Sequence, residues 1–205
     1  MFNERGVGAV GIREIARDLG LSPGNVSYHF PTKEALVGAL FEQAHAENNA
    51  LFETPAGPLD FVAVDRIVRA IMRRDLGHRW AMRDFVGLLV ASPKLRALHR
   101  RMQRARDARV DHMIESLIDA GLLDPKTTAR ARPELRQQLF TQVFFWLPAA
   151  VVAAPGRDPA ARLDAHARAV LALFAGCCTP AGRRQLEGLL TPRAPHGDRG
   201  SPPPA

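Results

Sequence analysis

Apolar residues recur at helical spacing along nearly the whole chain, and no stretch alternates apolar with polar residues as a half-buried strand would. Ile12, Ile15, Ala16 and Leu19 fall at i, i+3, i+4 and i+7 and predict a short helix, with Arg13, Glu14, Arg17 and Asp18 in water. Gly20 follows the last periodic residue, where a helix exits through a left-handed conformation. Ser22 is placed to cap a second helix with Pro23 at its first position, and Pro31 stops that helix after about two turns. Val26 and Phe30 are set to pack against Ile15 and Leu19, while Ala16 lets the two backbones approach.

Downstream the same reading continues. Thr32 caps a helix to about Glu53, with Leu36, Leu40, Ala44, Asn48 and Leu51 on one face, and the loop Thr54 to Pro58 breaks it. A helix from Leu59 to about Leu76 turns Val62, Ile67, Ala70 and Ile71 inward, and Gly77 ends it. A mostly apolar helix from Arg79, buried or lining a cavity, stops at Ser92-Pro93. Ser92 caps a long helix to Ala120, whose packed side carries Leu95, Leu98, Met102, Ala105, Val110, Met113, Ile114 and Leu117. A polar loop from Pro125 to Pro133 precedes a helix from Glu134 to Ala154 that Pro148 should kink. A helix from Asp158 to Cys178, a short one from Pro180 to Leu190 and a disordered tail from Thr191 complete the chain. The expected fold is all-α: a helix-turn-helix domain over residues 1–45, a larger helical domain over 46–190, and a tail over 191–205.

The first domain carries the chemistry. Once Val26 and Phe30 are turned inward, the short second helix presents Gly24, Asn25, Ser27, Tyr28 and His29. A two-turn helix with hydrogen-bonding, almost uncharged side chains suits a DNA major groove, where such groups meet base edges. Lys33 opposes the macrodipole at the start of the next helix, a cost that a phosphate bound there would reverse. Charge adds little: the net +7 does not lie at this end of the chain, where between Met1 and Phe52 four basic residues (Arg5, Arg13, Arg17, Lys33) face six acidic ones (Glu4, Glu14, Asp18, Glu34, Glu42, Glu47). Most of the excess lies between Arg66 and Arg109, where a solvated surface is the default explanation.

The run from Gly6 to Leu36, GVGAVGIREIARDLGLSPGNVSYHFPTKEAL, closely resembles the DNA-binding signature of the TetR/AcrR family of bacterial transcriptional regulators. The resemblance implies base contacts from Gly24, Asn25 and Tyr28, phosphate contacts from Ser22, Ser27, His29 and Lys33, and Pro23 within the same interface. Two departures stand out: Val10-Gly11 replaces the usual threonine pair, and Ser27 stands where the family usually has tyrosine. TetR-like domains also open with a full helix, of which Met1 to Arg5 reads as the last turn, so this chain is expected to lack most of it.

By the same resemblance the larger domain should bind an effector and dimerise. Met72, Trp80, Phe85, Met113 and Phe145 are candidate linings of a mostly apolar pocket for a hydrophobic effector. Phe144, Trp146, Val151, Val170 and Phe174 are candidates for a homodimer interface, because the helix around VFFWLPAAVVAA is apolar on every side. The expected function is a cytoplasmic repressor that binds a palindromic operator as a dimer and is released by its effector. The alternative is a helical ligand-binding or scaffold protein with defective DNA binding. An enzyme is not expected: no HExxH, CxxC, GxSxG, P-loop or GxGxxG element occurs, the histidines lack metal-ligand spacing, and no cofactor or membrane span is implied. Cys177 and Cys178 are adjacent and read as small core fillers.

Overall fold

The computed structural model describes residues 1–51 and 59–191. All regular structure among the described residues is helical, apart from one isolated antiparallel bridge between Leu123 and Cys178. Helix α1 (Phe2–Arg5) is a single turn, α2 (Ile12–Asp18) and α3 (Pro23–His29) form the helix-turn-helix, and α4 (Lys33–Ala50) leads into the body. The body contains α5 (Phe61–Asp75), α6 (Arg79–Ala91), α7 (Pro93–Asp119), α8 (Pro125–Phe144), α9 (Trp146–Ala153), α10 (Leu163–Ala172) and α11 (Pro180–Leu190). The expected loop from Thr54 to Pro58, the end of α4 near Glu53 and the tail beyond Thr191 lie outside the described residues.

Helix starts follow the caps read from the sequence. Ser22, Thr32 and Ser92 each accept a hydrogen bond from the backbone N–H three residues on. Asp60 and Asp124 do the same, and the latter cap overturns one expectation. With Pro125 at the first helical position, α8 begins there and absorbs the stretch expected to be a polar loop. Pro133 then sits inside the helix on an exposed face. The kink expected from Pro148 is a full break, placed at Phe145. A proline ring clashes with the carbonyl four residues earlier, which here belongs to Phe144.

The main core lies between α5, α7, α8, α9, α10 and α11, and its largest enclosed side chains are Trp146, Phe61, Phe174, Met72 and Ile114. A smaller cluster of Val7, Val37, Trp80, Ala81 and Leu95 joins the amino-terminal domain to α6 and α7. Several inward assignments shift by one position. On α5 Ile67 and Ile71 are buried as expected and Phe61, Val64, Val68 and Met72 join them, whereas Val62 is exposed; α4 buries Val37 rather than Leu36 or Leu40. On α7 Ala105 is exposed and Arg106 takes its place in the inward register. Leu19, just after α2, is 63% exposed rather than packed against α3, and Ala16 is the buried residue of α2.

The candidate interface residues also need correction. Val170 and Phe174 are 0% exposed and Trp146 is 1% exposed within a single chain, which leaves them no surface to offer a partner. α10 packs its apolar stripe on α5, and Trp146 donates its indole N–H to Asp75 at 3.0 Å. Phe144 turns toward an internal cavity, and only Val151 stands outward, at 48% exposure.

Candidate DNA interface and ligand cavity

The turn between α2 and α3 is held by Gly20, whose φ of 66° is the left-handed value glycine accommodates best, and by Leu21 N–H donating to Ala16 O at 2.8 Å. Asn25 N–H donates to Ser22 Oγ at 3.1 Å, fixing the first turn of α3. Val26 is the buried residue of this helix, and Phe30 beyond it is half-buried. Ser22, Pro23, Gly24, Asn25, Ser27, Tyr28 and His29 are all exposed, with Tyr28 at 83%. The rings of Tyr28 and His29 stand edge to face, 5.2 Å apart. The structure thus brings seven of the eight candidate residues onto one open surface.

Lys33 is different. Its Nζ is turned back and donates to the carbonyls of Val7 (2.9 Å), Gly8 (3.3 Å) and Val10 (3.3 Å). An ammonium has three donors, so these bonds occupy it fully and tie the start of α4 to the turn before α2. Val10 itself is completely buried, and Gly11 caps α2 without a side-chain bond, so the missing threonine pair is replaced by a core contact.

The amino-terminal domain is fastened to the body at α6 and α7. Asn3 donates through Nδ2 to Gly77 O at 2.7 Å and accepts from Trp80 N–H at 3.1 Å. Val7 N–H donates to Asp84 Oδ2 at 2.5 Å, and Ser92 Oγ donates to the Glu34 carboxylate.

Behind these joints lies a cavity of about 180 Å³, lined from α4, α5, α6, α7 and α8. Phe85 and Met113 line it as expected, whereas Met72 belongs to the main core, Trp80 to the joint, and Phe145 is replaced by Phe144. Sequence reasoning missed the polar lining: His45, Asn48, Arg74, Asp75, His99, Gln103, Arg106 and Arg109. The signal was present on α7, where Leu95, His99, Met102, Arg106 and Met113 keep one helical register, but a criterion limited to apolar residues skips the polar members.

Burial, opposed by the Trp146 hydrogen bond and by Arg74, raises the Asp75 carboxyl to about 6. Burial also holds the His45 and His99 imidazoles below their ordinary value, helped at His45 by Arg109, Arg106, Arg74 and Arg101 and at His99 by Arg106. Among the described residues no group of three or more His, Cys, Asp or Glu could hold a metal ion, and no helix is long and apolar enough to cross a membrane.

A helix-turn-helix with a polar outer face, carried on a helical body around a cavity, is the architecture of a DNA-binding regulator. Residues 1–40 match the family described as "Bacterial regulatory proteins, tetR family", and residues 45–186 match one described as "Bacterial transcriptional repressor". The chain belongs to the TetR family of bacterial transcriptional regulators. It is 22% identical over 182 residues to the HTH-type transcriptional regulator UidR of Escherichia coli (strain K12), covering 87% of this chain and 88% of that one. Among solved structures, a TetR-family transcriptional regulator from Marinobacter aquaeolei VT8 shares the fold with a TM-score of 0.76 at 23% identity, covering 92% of this chain and 91% of that one.

Proposed function

We propose that this regulator is a repressor that binds a palindromic operator as a homodimer, with α3 in the major groove, and leaves it when a small molecule occupies the cavity. Asn25 and Tyr28 are the base-reading residues, with Gly24 allowing close approach, while Ser22, Ser27 and His29 face the backbone phosphates. A dimer is required on physical grounds, because one two-turn helix reads too few base pairs to be selective against a genome.

The observation that carries this reading is the continuity between cavity and reader. α6 lines the cavity with Met82 and Phe85, and the same helix holds Asn3 and Val7 through Trp80 and Asp84. α4 lines it with Phe41, His45 and Asn48 and begins at Lys33, which grips the turn before α2. A molecule that shifts α4 or α6 therefore moves the reader, which is what differential binding to two states requires.

The homodimer surface belongs on the outward faces of α8 and α10, where Gln137, Thr141, Ala165, Ala169 and Ala172 are exposed and the last three are small enough for close helix packing. Fluorescence anisotropy on DNA upstream of the gene, with and without small molecules, tests the reading. Tight binding that a molecule reverses is expected, and binding no stronger than to random DNA would defeat it. A second reading, a ligand-binding protein with weak DNA affinity, is favoured by the full occupation of the Lys33 donors, and that same comparison separates the two.

A further inference from the structure

The lining of the cavity narrows what can occupy it. Its size fits a molecule of about one ring, since an apolar cavity of roughly 150 Å³ is known to take benzene. One wall is aromatic: the rings of Phe85 and Phe144 lie 4.5 Å apart, Phe140 and Phe144 5.2 Å, and Phe85 and His99 5.0 Å.

The opposite character comes from three arginines, Arg74, Arg106 and Arg109, against one lining acid, Asp75. Asp75 is already engaged by the Trp146 N–H. Arg74 donates to Ala44 O at 2.6 Å and has Asp75 and Glu47 at 3.8 and 3.9 Å. Arg106 reaches only its chain neighbour Asp107, at 3.2 Å, and lies over the Phe140 ring at 4.1 Å. Arg109 donates weakly to Ala105 O at 3.4 Å and pairs with no carboxylate among the described residues. Two half-buried guanidiniums thus stand at the aromatic wall, Arg109 with no carboxylate partner among the described residues and Arg106 with only its half-exposed chain neighbour Asp107, where the low dielectric strengthens their pull on a further anion.

Independent marks of a ligand site are the side-chain oxygens of Asn48 and Gln103, buried on α4 and α7 beside the cavity with no hydrogen-bond partner. Native proteins seldom leave such acceptors unpaired, and a ligand hydroxyl donating to either oxygen would pair it.

We propose that the cavity takes a small aromatic carboxylate, its ring against Phe85, Phe140 and Phe144 and its acid group on the guanidiniums of Arg106 and Arg109. The proposal rests on the reading of this cavity as the effector site. The cationic surplus excludes an amine; the His45 imidazole, lowered first by burial, is lowered further by Arg109, Arg106, Arg74 and Arg101.

Calorimetry on the full chain with benzoate, phenylacetate and 4-hydroxybenzoate, their primary amides, and benzylamine tests it. At least one carboxylate should bind about tenfold or more tightly than its amide, with no binding of benzylamine. Arg106→Gln with Arg109→Gln should bring that carboxylate to the level of its amide and leave the amide unchanged. Equal affinity for acid and amide, binding of benzylamine, or no binding by any carboxylate overturns the proposal in the native chain, whatever the variant's folding. Amides that bind and release DNA as well as the acids would leave the effector site standing and remove only the charge selection. Ligands whose affinity survives filling the cavity by Val143→Phe would place the effector elsewhere.

Discussion

The backbone N–H of Val7 donates to the carboxylate of Asp84 at 2.5 Å, and this bond ties the turn before the helix-turn-helix to the helix that walls the internal cavity. Gly6, with φ 82°, brings the backbone against this point: a Cβ there would run into the Arg83 guanidinium and come within 3.0 Å of Asp84 Oδ2. Asp84→Ala leaves the Val7 N–H unpaired and should cost about 1–3 kcal/mol of stability. It should also reduce the ratio of DNA affinities with and without effector, while effector affinity measured by calorimetry stays near native. An unchanged ratio would show that the signal takes another route.

On DNA, Asn25→Ala and Tyr28→Ala should each cost about 1–3 kcal/mol on the cognate site and little on random sequence. Lys33→Ala should weaken binding to every sequence by loosening the turn before α2, and leave the salt dependence nearly unchanged, since its three donors are spent on carbonyls rather than on a phosphate. Because Lys33 also clamps three carbonyls, its removal should lower the melting temperature, which Asn25→Ala should not. Anisotropy titrations over a range of salt, read beside thermal melts, check all three; equal losses on all sequences for Asn25→Ala and Tyr28→Ala would refute base reading.

Asp75 gives a pH signature. Its carboxyl, at about 6 in the folded protein against an ordinary 3.8, keeps a proton that the unfolded chain has released, so stability falls as pH rises between these values. The penalty persists above that window and reaches at most about 3 kcal/mol at 1.36 kcal/mol per pH unit. Asp75→Asn removes it and keeps an acceptor for the Trp146 N–H. The variant should melt a few degrees higher than the native protein at pH 7.5, with the gap closing toward pH 4. A gap independent of pH, or a less stable variant at pH 7.5, would contradict the assignment.

The reader was legible in the sequence because its signals are local: Gly20, Ser22, Pro23 and Pro31 each dictate backbone geometry within a turn of where they stand. The sorting of apolar residues between core and interface was not. Phe174 and Val151 look alike in a periodicity plot, yet one is enclosed by Phe61 on α5 and the other faces out. That difference depends on which helix crosses which, a non-local fact. The polar lining stayed hidden for a related reason, since Arg106 occupies an inward position by laying its guanidinium on Phe140.

The proposed dimer surface follows from that sorting. Phe174→Glu should unfold the chain, since it places a charge in a fully buried position. Ala169→Glu, on the outward face of α10, should leave the helical circular dichroism intact and convert a dimer to a monomer in sedimentation. A native chain that sediments as a monomer at micromolar concentration, or a variant that remains dimeric, would move the interface off this face.

Footprinting the full chain on the DNA upstream of its gene tests the central claim most directly. The expected result is two protected half-sites in inverted repeat, their centres about one or two DNA turns apart, lost together in the Asn25→Ala, Tyr28→Ala double variant. A single unpaired footprint, or protection that the double variant reproduces, would contradict it.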